Sequence, residues 1–311
     1  MRPSLSAATT QTCTPEPRCA LRTVRTIAEL RSELAPGRAA GATIGLVPTM
    51  GALHQGHLSL IEAARLRCDF VVVTLFVNPT QFDEQSDLLA YPRDEEQDAA
   101  LAARAGADLL FAPSPDEIYK RGFASSVEVR GLTDRLEGAM RGKDHFRGVT
   151  TVVCKLLNIA RPDIAYFGQK DAQQAAVIRR MVIDLDMEVQ IETMPIVREP
   201  DGLAMSSRNV RLSETEREQA LALYAALCAA QRLAAAVERS AGRLIEEAQR
   251  TLASYGVRPE YVALVDPESF EELDRVDAVG LMLIAARVGQ TRLIDNLALW
   301  ATDQSISIKE P

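Results

Sequence analysis

The densest chemistry in the sequence is His54-Gln55-Gly56-His57, which holds two of the chain's three histidines. It follows a short β-prone run, Thr43-Ile44-Gly45-Leu46-Val47, and precedes Leu58, Ile61, Ala64 and Cys68, spaced as on one face of a helix. The tetrad is therefore expected at a strand-to-helix junction. There the first N–H groups of the helix have no intrahelical partner and the helix dipole is positive, so the position attracts phosphate. Gly51 and Gly56 let the backbone come close to a ligand. Two imidazoles on that rim can hydrogen-bond phosphate oxygens and stabilise charge that develops during group transfer. A structural or solvated histidine is the alternative at each position taken alone.

Three further stations repeat this logic. Phe76-Val77-Asn78-Pro79-Thr80-Gln81-Phe82 closes a strand and presents Gln81 at the carboxyl edge of a sheet. An uncharged donor and acceptor there can hold a hydroxyl and a carboxylate of one small ligand, or simply face water. The polar stretch 83–93 reads as a mobile flap. Gly168-Gln169-Lys170-Asp171 ends another strand, with Asp171 as an expected helix N-cap and Gly168 and Lys170 able to meet a nucleotide. In the following helix Gln174 shares a face with Ile178, Met181 and Leu185, where it needs a partner: a ligand, or a backbone carbonyl. Met205-Ser206-Ser207-Arg208 offers two hydroxyls and a guanidinium in a loop that starts at Gly202, which suits a triphosphate; a surface turn with one arginine is the alternative.

These stations need a scaffold, and the hydrophobic periodicity supplies one. Strands are expected at 43–48, 70–77, 107–112, 126–130 and 164–167, and helices at 27–34, 57–68, 94–105, 148–160 and 172–185. Such alternation predicts an α/β fold, a Rossmann-like parallel sheet with helices on both faces, whose ligands bind at the carboxyl ends of the strands. From Pro195 the pattern changes. Long Ala- and Leu-rich helices at 214–237 and 242–253 precede β-prone runs at 260–265, 281–286 and 291–299, a smaller C-terminal α+β domain. The expected division is a disordered extension over 1–20, a nucleotide-binding domain over 21–195 and a lid domain over 196–311.

Composition narrows the function. A chain of 311 residues that is 47% hydrophobic can bury two ordinary cores. A formal charge of −8, without a Lys/Arg-rich run, argues against nucleic acid or anionic membrane as the main partner. Cys13, Cys19, Cys68, Cys154 and Cys228 are scattered, with no C-x-x-C pair or zinc-like spacing, which predicts reduced thiols in a cytoplasmic protein and no protein-held metal. The first 20 residues lack the apolar core of a signal peptide or membrane span.

The His-x-Gly-His pattern resembles that of the nucleotidylyltransferase and class I aminoacyl-tRNA synthetase superfamily. With the 48–57, 76–82, 91–93, 167–174 and 201–209 blocks in order, the sequence resembles the pantothenate synthetase (pantoate-beta-alanine ligase) family over about residues 21 to 311. The resemblance implies that ATP and pantoate give a pantoyl adenylate and pyrophosphate, after which the amine of beta-alanine displaces AMP to form pantothenate. It implies a homodimer, a C-terminal domain that closes over the site, and Mg2+ carried on the triphosphate. Met50, Gly51, Ala52, Leu53, His54, Gln55, Gly56 and His57 would hold ATP, with His57 as proton donor. Gly168, Gln169, Lys170, Asp171, Val197, Met205, Ser206, Ser207 and Arg208 would complete the ATP site. Gln81 would touch pantoate and beta-alanine, and Gln174 pantoate. His54, His57, Lys170 and Arg208 are of the right type to stand as positive groups around a phosphate gaining charge. No residue is an obvious base for the amine. A regulatory nucleotide-binding module, and another nucleotidylyltransferase or a synthetase-like RNA binder, are the competing readings; the intact charged set weighs against the first, and the acidic balance and the two Gln stations against the second.

Overall fold

The computed structural model of the chain describes residues 21–81, 92–236 and 238–300. The β-prone runs pair into one parallel sheet of six strands: β1 (Arg22–Val24), β2 (Ile44–Thr49), β3 (Phe70–Leu75), β4 (Leu109–Phe111), β5 (Ile164–Gly168) and β6 (Gln190–Met194), in the order β1-β4-β3-β2-β5-β6. The central strands β2 and β3 are almost wholly buried, as continuous apolar runs covered on both faces should be. On one face Val72 and Leu46 pack under Leu30 and Leu34 of α1 (Ile27–Ala39), Val149 and Leu156 of α6 (Lys143–Ala160), and Ile178 of α7 (Ala172–Asp184). On the other, Val47, Val71 and Val73 pack under Leu60 and Ile61 of α2 (Gln55–Arg67) and Ala102 of α3 (Glu95–Ala105). Two single-turn helices, α4 (Pro115–Ile118) and α5 (Glu137–Arg141), lie in the long connection before α6.

The strand expected at 126–130 does not form. Its backbone is taken by α6 instead: Val127 N–H donates to Thr151 Oγ1 at 3.0 Å and Val127 C=O accepts from Thr150 Oγ1 at 2.5 Å. Hydroxyls of a helix thus satisfy groups that the periodicity assigned to a sheet. Conversely, β1 and β6 are edge strands whose polar residues are half exposed, so their alternation is too faint to read.

The C-terminal unit is the expected α+β domain. Helices α8 (Glu214–Ala235) and α9 (Ala241–Ser254) cover the antiparallel sheet β7 (Pro259–Val265), β8 (Val279–Val288) and β9 (Thr291–Trp300). It meets the first unit through Ala172 and Ala176 of α7 against Val265, Phe270 and Leu283. Polar ties reinforce the join. Glu137 accepts from Arg292 Nη1 and Nη2 at 2.8 and 2.7 Å and from the Tyr261 hydroxyl at 2.8 Å. Asn296 Nδ2 donates to the carbonyls of Gln169 and Lys170 at 2.9 and 3.1 Å. The extension 1–20 and the expected flap, apart from Pro92 and Arg93, lie outside the described residues.

Candidate active site

From β2 the chain winds to β3 and β4 on one side, and from β5 to β6 on the other, so the strand order reverses between the neighbours β2 and β5. The carboxyl ends of two such strands part and leave a crevice. A cleft of about 510 Å³ opens there, walled by the ends of β2 and β5, by α6, by the 205–208 loop and by Asp295 and Asn296 of β9.

The histidine pair sits at the bottom of the first wall. Helix α2 begins at Gln55, two residues before the expected start, because His54 itself is the N-cap: its Nδ1 accepts from Gly56 N–H at 3.1 Å. His57 returns the bond, its Nδ1 accepting from His54 N–H at 3.3 Å, and the ring centroids stand 4.2 Å apart. An Nδ1 that accepts carries no hydrogen, so each neutral ring holds its proton on Nε2 and both act as donors there. Burial, followed by the charge of Lys170, lowers the His54 pKa; burial, followed by His54, pushes His57 down to about 3. The expectation of standing positive charge is thereby corrected: without a bound anion the pair is neutral at physiological pH. Gly56, which lines the cleft, also has a steric reason to be glycine. A Cβ at this position would meet the His54 ring at 2.9 Å, so the glycine makes room for the cap.

The loop that delivers the pair, 50–53, takes left-handed backbone at Gly51 (φ +87°) and Ala52 (φ +51°). A non-glycine residue in that region costs roughly 1–2 kcal/mol, so something must hold it. The holder is Asp98 of α3, only 3% exposed, which accepts from the N–H of Ala52 and Leu53. No local sequence signal marks this aspartate. Met50, His54, Gly56 and His57 line the cleft, whereas Gly51, Ala52 and Leu53 stand behind it as the support of the loop and Gln55 is exposed.

After β3 a turn of 3-10 helix (Pro79–Gln81) presents Gln81 to the cleft. Buried Asn78 clamps the turn, donating to the Gly148 carbonyl at 3.1 Å and accepting from the Tyr119 hydroxyl at 2.8 Å. The carbonyl of Gln81 lies 3.0 Å from Nδ1 of His145, the third histidine, which sequence reasoning left unassigned and which lines the same cleft. Gln173 and Gln174 both line the cleft, and the amide of Gln173 is spent on the 132–137 backbone.

Gly168, the last residue of β5, and Lys170 and Asp171 just after it are all in the cleft wall; Gln169 turns aside to donate to Asn296 Oδ1 at 3.2 Å. Asp171 occupies the N-cap position of α7 but makes no side-chain capping bond, contrary to expectation. Burial works to raise its carboxyl, and the charges of Lys170, Arg141 and Arg208 overcome this and hold it below the ordinary value. Opposite stands the 205–208 loop. Arg198 anchors its base by a two-pronged pair with Asp295, at 2.7 and 3.0 Å, and by stacking 3.7 Å from the Tyr224 ring. Met205 N–H donates to Val197 C=O at 3.0 Å, which brings Val197 into the wall beside Ser206, Ser207 and Arg208. Among the described residues, no cluster of three or more His, Cys, Asp or Glu could hold a metal ion, and no helix is long and apolar enough to cross a membrane.

Residues 22–298 match the family model of pantoate-beta-alanine ligase. The chain belongs to that family. Pantothenate synthetase of Moorella thermoacetica is 50% identical over 281 residues, which are 90% of this chain and 99% of the relative. Pantothenate synthetase 1 of Bradyrhizobium diazoefficiens is 52% identical over 282 residues, 90% of this chain and 98% of the relative. Among solved structures, the pantothenate synthetase of Thermus thermophilus superposes with a TM-score of 0.84 at 46% identity, covering 89% of this chain and 98% of that one. The pantoate-beta-alanine ligase of Francisella tularensis, solved in complex with beta-gamma ATP and beta-alanine, superposes with a TM-score of 0.74 at 35% identity over 92% of this chain and the whole of that one. The pantoate-beta-alanine ligase family thus accounts for both domains of the fold.

Proposed function

We propose that the cleft joins pantoate to beta-alanine in two steps, through a pantoyl adenylate, with release of pyrophosphate and then AMP. The condensation follows from membership of the family. One observation carries the reading of the site: the His54–His57 pair, Lys170 and Arg208 converge on a single cleft at the topological switch point.

In this reading the Nε2–H groups of His54 and His57 donate to oxygens of the α-phosphate. They bond most strongly when a pantoate carboxylate oxygen attacks phosphorus and the bond to pyrophosphate breaks, because charge then accumulates on those oxygens. His57 is the proton donor on this account, since an arriving polyphosphate favours the protonated ring that burial now disfavours. Lys170 and Arg208 take the β- and γ-phosphates from opposite sides. Met50 to His57, Gly168 to Asp171, Val197 and Met205 to Arg208 form the ATP site, with Gly51, Ala52, Leu53 and Gln169 supporting it from behind and Gln55 at its exposed edge. Gln81 and Gln174 hold pantoate, and Gln81 also meets beta-alanine. Mg2+ arrives on the triphosphate, and the enzyme works as a cytoplasmic homodimer. The deciding experiment is turnover with ATP, pantoate and beta-alanine while AMP is followed: release must need all three. AMP release without pantoate would sink the reading.

A further inference from the structure

Arg141, the last residue of α5, lines the cleft and has no part in the chemistry described so far. An arginine paired at i,i+4 is ordinarily a solvated one, but this side chain is only 27% exposed, and its Nε donates to Glu137 Oε2 at 2.9 Å. Glu137 in turn accepts from both Nη atoms of Arg292 in β9 and from the Tyr261 hydroxyl in β7. The guanidinium is thus fixed at its root by two strands of the C-terminal domain. That bond uses one of its five N–H donors. Among the described residues, its Nη1 and Nη2 donate to no protein group.

The cleft has a side recess at this point, lined by Arg141, Lys170, Ser206, Arg208, Arg292 and Asp295 among others. Glu137 and Glu260, the carboxylates paired with Arg141 and Arg292, do not line it. Asp295 does, but both its oxygens accept from Arg198. The recess therefore turns donors towards a ligand and keeps the balancing acceptors behind or occupied, which suits a phosphate. His54, His57, Gln81 and Gln174 line the cleft but not the recess. A ligand whose reacting phosphate meets the histidines places in the recess what lies beyond that phosphate.

We propose that Arg141 holds the terminal phosphates of ATP and then the pyrophosphate that leaves, an assignment that rests on the two-step reading above. When a carboxylate oxygen of pantoate bonds to the α-phosphorus, the bond from that phosphorus to the bridging oxygen breaks, and its electron pair stays with the pyrophosphate. Charge therefore builds on the leaving group, on the side of the phosphorus opposite the attack. Arg141 meets it with a planar fork of donors, the geometry of a two-pronged guanidinium–phosphate contact. Because Glu137 links this fork to Arg292 and Tyr261, the grip on the leaving group is set by the contact that joins the two domains.

Arg141→Gln keeps an amide N–H for Glu137 and removes the charged fork. In pantoate-dependent exchange of labelled pyrophosphate into ATP, the half-saturating concentrations of ATP and of pyrophosphate should each rise roughly 10–100-fold, as for a lost hydrogen bond to a charged group. Half-saturation by pantoate at saturating ATP should stay as in the unaltered protein. So should the dissociation constant of AMP, which has no terminal phosphates, and unchanged AMP binding also reports a folded site. AMP weakened alongside ATP would give Arg141 a merely structural role, weakened pantoate would hand it to the acid substrate, and unchanged ATP and pyrophosphate would remove it from the site; each result overturns the assignment. Absence of exchange from the unaltered protein would overturn the two-step reading itself, and this proposal with it.

Discussion

The carboxylate of Asp98 accepts from Leu53 N–H at 2.7 Å, and its second oxygen accepts from Ala52 N–H at 2.9 Å. One buried side chain of α3 thereby closes the left-handed loop that ends at His54. Asp98→Ala leaves two buried donors unsatisfied, each costing about 1–3 kcal/mol. The expected result is a lower denaturant midpoint together with lost AMP release. Full activity in a chain destabilised to that extent would show that the loop holds its shape without Asp98.

His57 accepts at Nδ1 for the cap, and in the proposed reading it also donates from Nε2 to the ligand. His57→Asn offers an amide oxygen near the place of Nδ1 and no donor at the place of Nε2. Its thermal midpoint should stay close to that of the unaltered protein while turnover falls roughly 10²–10³-fold. Near-normal turnover would remove His57 from the chemistry.

Glu137 predicts the acid limb of stability. Burial acts to raise its pKa, but Arg292 and Arg141 lower it overall from 4.5 to about 2. A carboxyl depressed in the folded state contributes stability that is complete above about pH 4.5 and is lost as pH falls towards 2. The contribution is about 3 kcal/mol. Neutral, depressed His57 also favours unfolding as pH falls from 6.5 towards 3, so the Glu137 share is read by difference. Unfolding free energies of the unaltered protein and Glu137→Gln should converge between pH 4.5 and 2. Parallel curves would refute this contribution of Glu137.

Lys170 and Arg208 reach the cleft from β5 and from the interdomain loop, and the Lys170 carbonyl is itself held by Asn296 of β9. ATP that spans the two cations should order the loop and draw the domains together. Saturating ATP is expected to slow amide exchange across residues 198–211; unchanged exchange there would mean that the cations do not share a ligand.

Gln173 and Gln174 both line the cleft, but the amide of Gln173 is spent on backbone groups, which leaves Gln174 for pantoate in the proposed reading. Gln174→Ala should weaken pantoate in the pyrophosphate exchange by roughly 1–3 kcal/mol and leave ATP affinity alone. A change confined to ATP would move this residue to the nucleotide site.

Much of this was legible in the chain itself. The central strands β2, β3 and β5 and the helices between them follow from continuous apolar runs and a 3.6-residue period, since a buried parallel sheet demands both. The His54–His57 pair, Gln81, Lys170 and Arg208 were readable because each lies where a strand or loop stops, and local residue types mark such stops. Tertiary structure decided what depends on partners far away in sequence. Periodicity assigned 126–130 to a sheet, and only the packing of α6 placed Thr150 and Thr151 where they take its backbone. Asp98 acquires its role from a loop 45 residues earlier, and the proton position on His145 from a carbonyl 64 residues earlier. Hydrogen bonds fix tautomers and burial fixes charge. Neither is a property of a residue type, so the sequence could name the His54–His57 pair while the fold alone decided which ring nitrogen holds each proton.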